Sequence, residues 1–212
     1  MSYLLSSFQL EGADSIGLRP DKVAELLHRV KKEVDEGLLP ATQVAMARDG
    51  KVGVFESFGT ASADSLTCIF SATKAITSSA AWLLIQAGKL DEREVVADIV
   101  PEFSTNEKEA ITVQQLFTHT AGFPSAPFAP LDWLDKSKRY GRFSKWRLNW
   151  EPGSRFEYHP SSSMWVVAEI IERRSGQRYV EFVQDNVLGP LGLDNLIVGL
   201  SPADGGRALD VE

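Results

Sequence analysis

The chain has 212 residues, enough for one or two domains at roughly 150 residues each. Apolar residues make up 43% and charged residues 24%, which excludes a disordered chain. With 22 basic and 29 acidic residues the net charge is −7, which argues against a general nucleic-acid or anionic-membrane binder. The most apolar stretch, near Ala75–Ala87, is too short and too mixed to span a bilayer. The start, Met1–Leu10, lacks a basic region followed by an apolar run, which favours the cytoplasm. The single cysteine, Cys68, allows no internal disulfide and no clustered-cysteine zinc site. His28, His119 and His159 have no metal-ligand spacing.

In chain order, Pro20–Gly37 reads as a helix. Val23, Leu26, Leu27, Val30 and Val34 recur on one face, and Gly37 is placed to stop it. Gln43–Arg48 and Lys51–Phe58 flank Asp49-Gly50, a two-residue hairpin signal, because both turn residues need positive φ. A lone hairpin is marginal in water and needs further strands or a helix. Beyond it only Leu66–Phe70 and Leu196–Leu200 offer strand candidates. Ser71–Ala87 reads as a mostly apolar, central helix ended by Gly88. Thr112 with Gln115 fits a capping box opening a short helix, which Gly122 breaks. Phe123–Trp150 reads as irregular and aromatic-rich. Helices follow at about Ser163–Arg174, stopped near Gly176, and Tyr179–Val187, stopped by Gly189-Pro190.

The chemical signal lies in Phe70-Ser71-Ala72-Thr73-Lys74. On a helix the three-residue spacing puts Ser71 and Lys74 on one face. A serine hydroxyl needs a base within hydrogen-bond reach, and a lysine serves if burial and neighbours lower its pKa. A helix N-terminus at Ser71 adds N–H groups for developing oxyanion charge. The structural alternative is Ser71 as an N-cap and Lys74 on the surface. A lysine in the first turn of a nearly apolar helix argues against it, because an unpaired buried cation is expensive.

Over about Pro20–Leu200 the sequence resembles the serine β-lactamase and penicillin-binding-protein superfamily, nearest to class C-like β-lactamases and family VIII carboxylesterases. The resemblance rests on Phe70–Lys74, on Leu83 to Leu90 with Gly88-Lys89-Leu90, on Ile111-Thr112 leading to Leu116–Gly122, on Glu151–Tyr158, on Glu169–Glu172 and on Pro190–Leu193, in that order. It implies that Ser71 is the nucleophile, that Lys74 shares its proton traffic, and that Tyr158 matches the tyrosine of Tyr-x-Asn and acts as general base and acid. A tyrosine near a lysine cation is easier to ionise. Two departures stand out. The run after Tyr158 is His159-Pro160-Ser161-Ser162-Ser163, and proline has no side-chain amide. One of the serines or His159 is then the candidate replacement for the asparagine. The family's third motif, a Lys-Thr-Gly, His-x-Gly or Trp-x-Gly triplet on a strand beside the nucleophile, does not follow Tyr158.

The expected fold is mixed α/β: a β-lactamase/transpeptidase-like antiparallel sheet with flanking helices, incomplete in this chain, plus a mainly helical domain. The expected division is 1–60 for the helix and hairpin, 61–199 for the helical part and 200–212 as an exposed tail or linker. The expected function is a carboxylesterase-like serine hydrolase. The alternatives are a β-lactamase or acyltransferase, or a non-catalytic penicillin-recognising or scaffold homologue. Ser71, Lys74 and Tyr158 are the catalytic candidates; Ser162, His159, Phe123 and Trp150 are candidates to contact substrate. His119, at a helix end, reads as structural, and Arg173 and Arg174 as complements to a helix dipole. No metal or organic cofactor is expected. The expected partners are a small-molecule ester or lactam and a C-terminal complement, a second chain or a further segment, carrying the third motif; nucleic acid and membrane are not.

Overall fold

Asp49 and Gly50 take φ of 51° and 76°, the left-handed pair that a two-residue hairpin needs to match strand twist. They join β1 (Ala41–Arg48) to β2 (Lys51–Gly59), antiparallel from Arg48↔Lys51 to Ala41↔Gly59 with an irregularity between Met46 and Ala47. The computed structural model describes residues 10–211. The stretch Met1–Leu10 read above for a leader lies outside these residues apart from Leu10. Among the described residues the sheet has these two strands, and no helix is long and apolar enough to cross a membrane.

The chain divides into two units, one within Met1–Cys68 and Gly199–Glu212, the other Ile69–Val198. In the first unit α1 (Pro20–Asp35) precedes the hairpin. Gly37, at φ 74°, closes α1 by letting its N–H reach Val34 O and that of Leu38 reach Glu33 O, which satisfies the last carbonyls. None of the α1 residues is fully buried. Leu66 does not extend a strand; it forms an isolated bridge with Ala208. Leu196–Leu200 likewise contains no strand.

The second unit is helical. A 3₁₀ turn, Phe70–Ala72, feeds α2 (Thr73–Gln86), so the regular helix begins two residues later than the sequence pattern suggests. α2 buries one stripe, Thr77, Ala80, Ala81 and Leu84, while Trp82 is 64% exposed. It is therefore less central than its apolar composition implies. Next come α3 (Val96–Ile99), a 3₁₀ turn Pro101–Phe103, and α4 (Val113–Phe117). At α4 Thr112 and Gln115 exchange both capping-box bonds. α5 (Lys136–Lys145), α6 (Ser162–Ser175) and α7 (Tyr179–Val183) follow, and a π turn, Gln184–Leu188, continues α7. Leu84, Val96, Phe103, Ile111, Leu116, Val166, Ile170 and Val183 lie in one core.

Two buried cations organise this unit. Lys108, fully buried, donates to Thr105 O, Thr105 Oγ1 and Trp146 O at 2.6, 3.1 and 2.8 Å. Arg139 on α5 meets Glu169 and Glu172 on α6, each at 3.0 Å, and its guanidinium lies over the Trp133 ring. Glu169 also accepts from Arg173 Nε at 2.6 Å, and Arg173 reaches Glu102 at 2.8 Å. Glu172 caps the start of α7 by accepting from the Tyr179 N–H at 2.9 Å. Arg173 and Arg174 thus do more than complement a dipole: each pairs with a carboxylate from elsewhere in the fold, Arg174 with Glu94.

Removing one partner of a buried pair leaves the other charge uncompensated. Glu169 and Arg139 are 1% and 2% exposed at the side chain, so Glu169→Leu is expected to cost about 3–5 kcal/mol in urea unfolding. Arg142→Ala, which breaks the more open pair with Asp132, should cost no more than about 1 kcal/mol. Equal effects would remove the network from its organising role.

Candidate functional site

Lys74 lies in the first turn of α2, and its Nζ donates to Ser71 Oγ at 3.0 Å. The three-residue spacing does this work, and Phe70 precedes it. That residue sits at φ 44°, a left-handed conformation that costs a non-glycine residue about 1–2 kcal/mol. Ser71 is exposed and Lys74 half-buried. Tyr158 arrives from the stretch before α6, and its hydroxyl donates to Ser71 Oγ at 2.7 Å. The Lys74 ammonium also donates to Pro160 O at 2.6 Å and lies 4.9 Å from the Tyr158 ring centre. The adjacent lysine, and then the bond to Ser71, hold the Tyr158 phenol below its ordinary pKa of 10.

The residues behind this triad fix the tyrosine stretch. Gly122, at φ 90°, lets the chain pass so near Trp150 O that a Cβ would stand 2.5 Å from it. Phe123 N–H, just beyond, donates to His159 Nε2 at 3.1 Å, and Ser162 Oγ donates to Phe123 O at 2.9 Å. Phe123, His159 and Ser162 are fully buried. The sequence offered all three as substrate contacts; the structure puts them behind Tyr158, bonded to one another, with no surface facing the hydroxyl of Ser71. Trp150 is half-buried, with the Arg155 guanidinium 4.9 Å from its ring centre. Neither His159 nor Ser162 supplies the polar group that Pro160 removed. A main-chain carbonyl, Pro160 O, is what reaches Lys74.

His119, read as a helix-end residue, stands just past the α4 C-cap Thr118 and also lies against Tyr158. Its ring centre is 4.8 Å from that of Tyr158, and its Nδ1 accepts from the His159 N–H at 3.1 Å. Phe156, 69% exposed, is 6.3 Å from the same ring. The sequence signal for His119 was its place in Leu116–Gly122, but nothing in that run shows which distant segment it meets. Among the described residues no group of three or more His, Cys, Asp or Glu side chains is placed to hold a metal ion.

A family model described as Beta-lactamase matches residues 26–210. The chain belongs to the Beta-lactamase family. Protein flp of Staphylococcus aureus (strain MW2) is 27% identical over 177 residues, 76% of this chain and 35% of that protein. Esterase/beta-lactamase LipL of Mycobacterium tuberculosis (strain ATCC 25618 / H37Rv) is 29% identical over 147 residues, 68% of this chain and 33% of that protein. The chain therefore spans about a third of the length of these curated relatives. Among solved structures, a penicillin-binding protein homologue from Caulobacter crescentus superposes with a TM-score of 0.77 at 29% identity, covering 92% of this chain and 55% of that one. A family VIII carboxylesterase gives 0.74 at 24% identity, over 87% and 54%; at that identity the likeness is one of fold. The mixed α/β architecture, a small antiparallel sheet with many helices, matches about half of each of these structures.

The lowered phenol pKa has a direct check. An ultraviolet difference titration of the chain against Tyr158→Phe should show Tyr158 ionising below pH 10, and Lys74→Met should move the transition upward. The sign follows from charge, since a cation beside the phenol favours the phenolate. A transition unmoved by Lys74→Met would show that the lysine does not act on the phenol.

Proposed function

We propose that the chain is the nucleophile-bearing part of a serine hydrolase that cleaves an ester through an acyl-enzyme on Ser71. The observation that carries this reading is the convergence on Ser71 Oγ of Tyr158 OH at 2.7 Å and Lys74 Nζ at 3.0 Å. With Tyr158 as phenolate the first bond reverses, and the serine O–H donates to the tyrosine oxygen. Ser71 Oγ then attacks the ester carbonyl carbon as Tyr158 takes its proton, and the Ser71 N–H gives one hydrogen bond to the oxyanion. Collapse breaks the bond to the leaving alkoxide, which takes the proton from Tyr158. Water repeats the sequence in reverse: it gives a proton to Tyr158, adds to the acyl carbon and releases Ser71, which recovers the proton. The Lys74 ammonium, held by Pro160 O, stabilises the phenolate throughout. No metal or organic cofactor enters these steps.

An ester is favoured over a lactam because Pro160 leaves no side-chain amide to bind the lactam's amide carbonyl. A β-lactam, or transfer of the acyl group to another alcohol, is the alternative on the same acyl-enzyme. The name of the mycobacterial relative carries esterase and beta-lactamase together. The second oxyanion donor belongs to a further strand carrying a Lys/His/Trp-x-Gly triplet, supplied by a longer chain or a second one.

The test is a fluorophosphonate probe and a chromogenic short-chain ester, applied to the chain alone and to its assembled form, with the adduct located by mass spectrometry. Labelling at Ser71 that vanishes in Ser71→Ala is expected, with Tyr158→Phe lowering turnover about 10²–10⁴-fold. An assembled protein that takes no label would instead be a non-catalytic homologue.

A further inference from the structure

The His119 ring lies against both Tyr158 and His159, and the hydrogen bonds of each imidazole fix a protonation state. His119 Nδ1 accepts the His159 N–H at 3.1 Å, so that nitrogen must hold a lone pair. The His119 carbonyl accepts the Glu157 N–H at 3.2 Å. One residue thus grips the chain on both sides of Tyr158, with its ring against the phenol ring. His159 is fully buried. Its Nε2 accepts the Phe123 N–H at 3.1 Å, while its Nδ1 lies 2.7 Å from Glu157 O. A carbonyl accepts only, so Nδ1 carries the hydrogen and Nε2 is bare. The next residue is Pro160, whose carbonyl holds Lys74. The two imidazoles therefore hold the backbone that carries two of the three contacts converging around Ser71.

We propose that His119 and His159 are positioning residues that must both be neutral to hold Tyr158 against Ser71, so that a proton on either accepting nitrogen releases the tyrosine stretch. A proton on His119 Nδ1 would face the His159 N–H, and one on His159 Nε2 would face the Phe123 N–H; either replaces an attraction with a clash of donors. The charged and titratable groups around the rings are the Lys74 ammonium from α2, the Tyr158 phenol, and Glu157, whose carboxylate is paired with Arg155 at 2.8 Å. Phe123, Phe156 and Trp150 supply the rest of the ring contacts. Burial, then His159 and Lys74, lower the pKa of His119 from 6.5. Burial likewise lowers that of His159, opposed by Glu157. With native pKa values below the unfolded one, the native state binds fewer protons. The stability from this pair is complete above about pH 6.5 and declines as the pH falls below it.

The role assigned to the phenol rests on the serine-hydrolase reading, so the first measurement is independent of catalysis. Nitrogen-15 spectra of the histidine side chains in the 212-residue chain at pH 7 should show His119 bare at Nδ1 and His159 bare at Nε2. A proton on either of these nitrogens at pH 7 overturns the proposal, whatever the chain hydrolyses. The second measurement is made at pH 8. His119→Ala should raise the phenol transition of Tyr158 and slow fluorophosphonate labelling of Ser71 about tenfold, the scale of one lost buried hydrogen bond. His119→Asn, whose side-chain oxygen can take the place of Nδ1 and which tolerates positive φ, should restore both within about threefold. In His119→Asn with His159→Gln, labelling below pH 6.5 should fall less steeply than in the wild type. An unchanged phenol transition in His119→Ala, or an acid limb in the double variant as steep as the wild type's, would sink the positioning role. Absence of labelling in every form, with the tautomers as stated, would count against the hydrolase reading alone.

Discussion

The buried carboxylate of Glu169 is the interaction on which the helical unit depends. It sits between Arg139 of α5 and Arg173 of α6, and Arg173 passes the link on to Glu102. Its neighbour Glu172, one turn away, holds Arg139 and the first N–H of α7. Tyr179, opening α7, then bonds Thr77 of α2 at 2.7 Å. A chain of hydrogen bonds and ion pairs therefore runs from α5 through α6 to the helix that follows Ser71. A charge with two opposite partners stabilises a buried site only while each partner keeps its geometry. The residues leading into α6 are Tyr158, His159, Pro160 and its N-cap Ser161.

The site is thus built from two rigid pieces that meet at a hydroxyl. The 3₁₀ turn and the first turn of α2 bring Ser71 and Lys74 together by sequence spacing. The second piece needs tertiary support, because Tyr158 lies outside any helix or strand. That support is mainly main-chain: the Gly122 turn, the Phe123 N–H, the His119 carbonyl and the Pro160 carbonyl. In place of an amide side chain, the lysine meets a peptide oxygen that cannot be protonated or rotated away. This arrangement keeps an ammonium beside a phenol without introducing a carboxylate, which would compete with the phenol for the cation.

Local rules made part of this legible in the sequence. The Asp49-Gly50 turn, the Gly37 and Gly88 stops and the Thr112–Gln115 box each depend on residues within a few positions, and each forms as read. The Ser71–Lys74 contact follows for the same reason. α5 was hidden because its inward positions are Arg139 and Phe143. A buried arginine reads as a surface residue until its two glutamates, thirty and more positions away, are known. Phe123 read as a substrate contact for a related reason: aromatic residues in a loop without periodicity give no inward direction, and here it stacks on Trp146 at 5.6 Å inside the core. The contact of His119 with the His159 N–H spans forty residues, so no local pattern could show it.

Two non-glycine residues with left-handed backbone flank the Ser71–Tyr158 contact: Phe70, at φ 44°, beside Ser71, and His119, at φ 57°, against Tyr158. Each such conformation costs on the order of 1–3 kcal/mol and persists only where surrounding contacts over-determine it. At His119 those contacts are visible: the carbonyl and the ring are both bonded to the tyrosine stretch, so relaxing the backbone would break two bonds. At Phe70 the side chain is 67% exposed, and packing on it supplies little. The strain there is held from the other direction, by α2, whose start fixes Ser71, and by the two donors on the serine oxygen. The geometry of Ser71 and that of Tyr158 therefore stabilise each other, and loosening either one relaxes both.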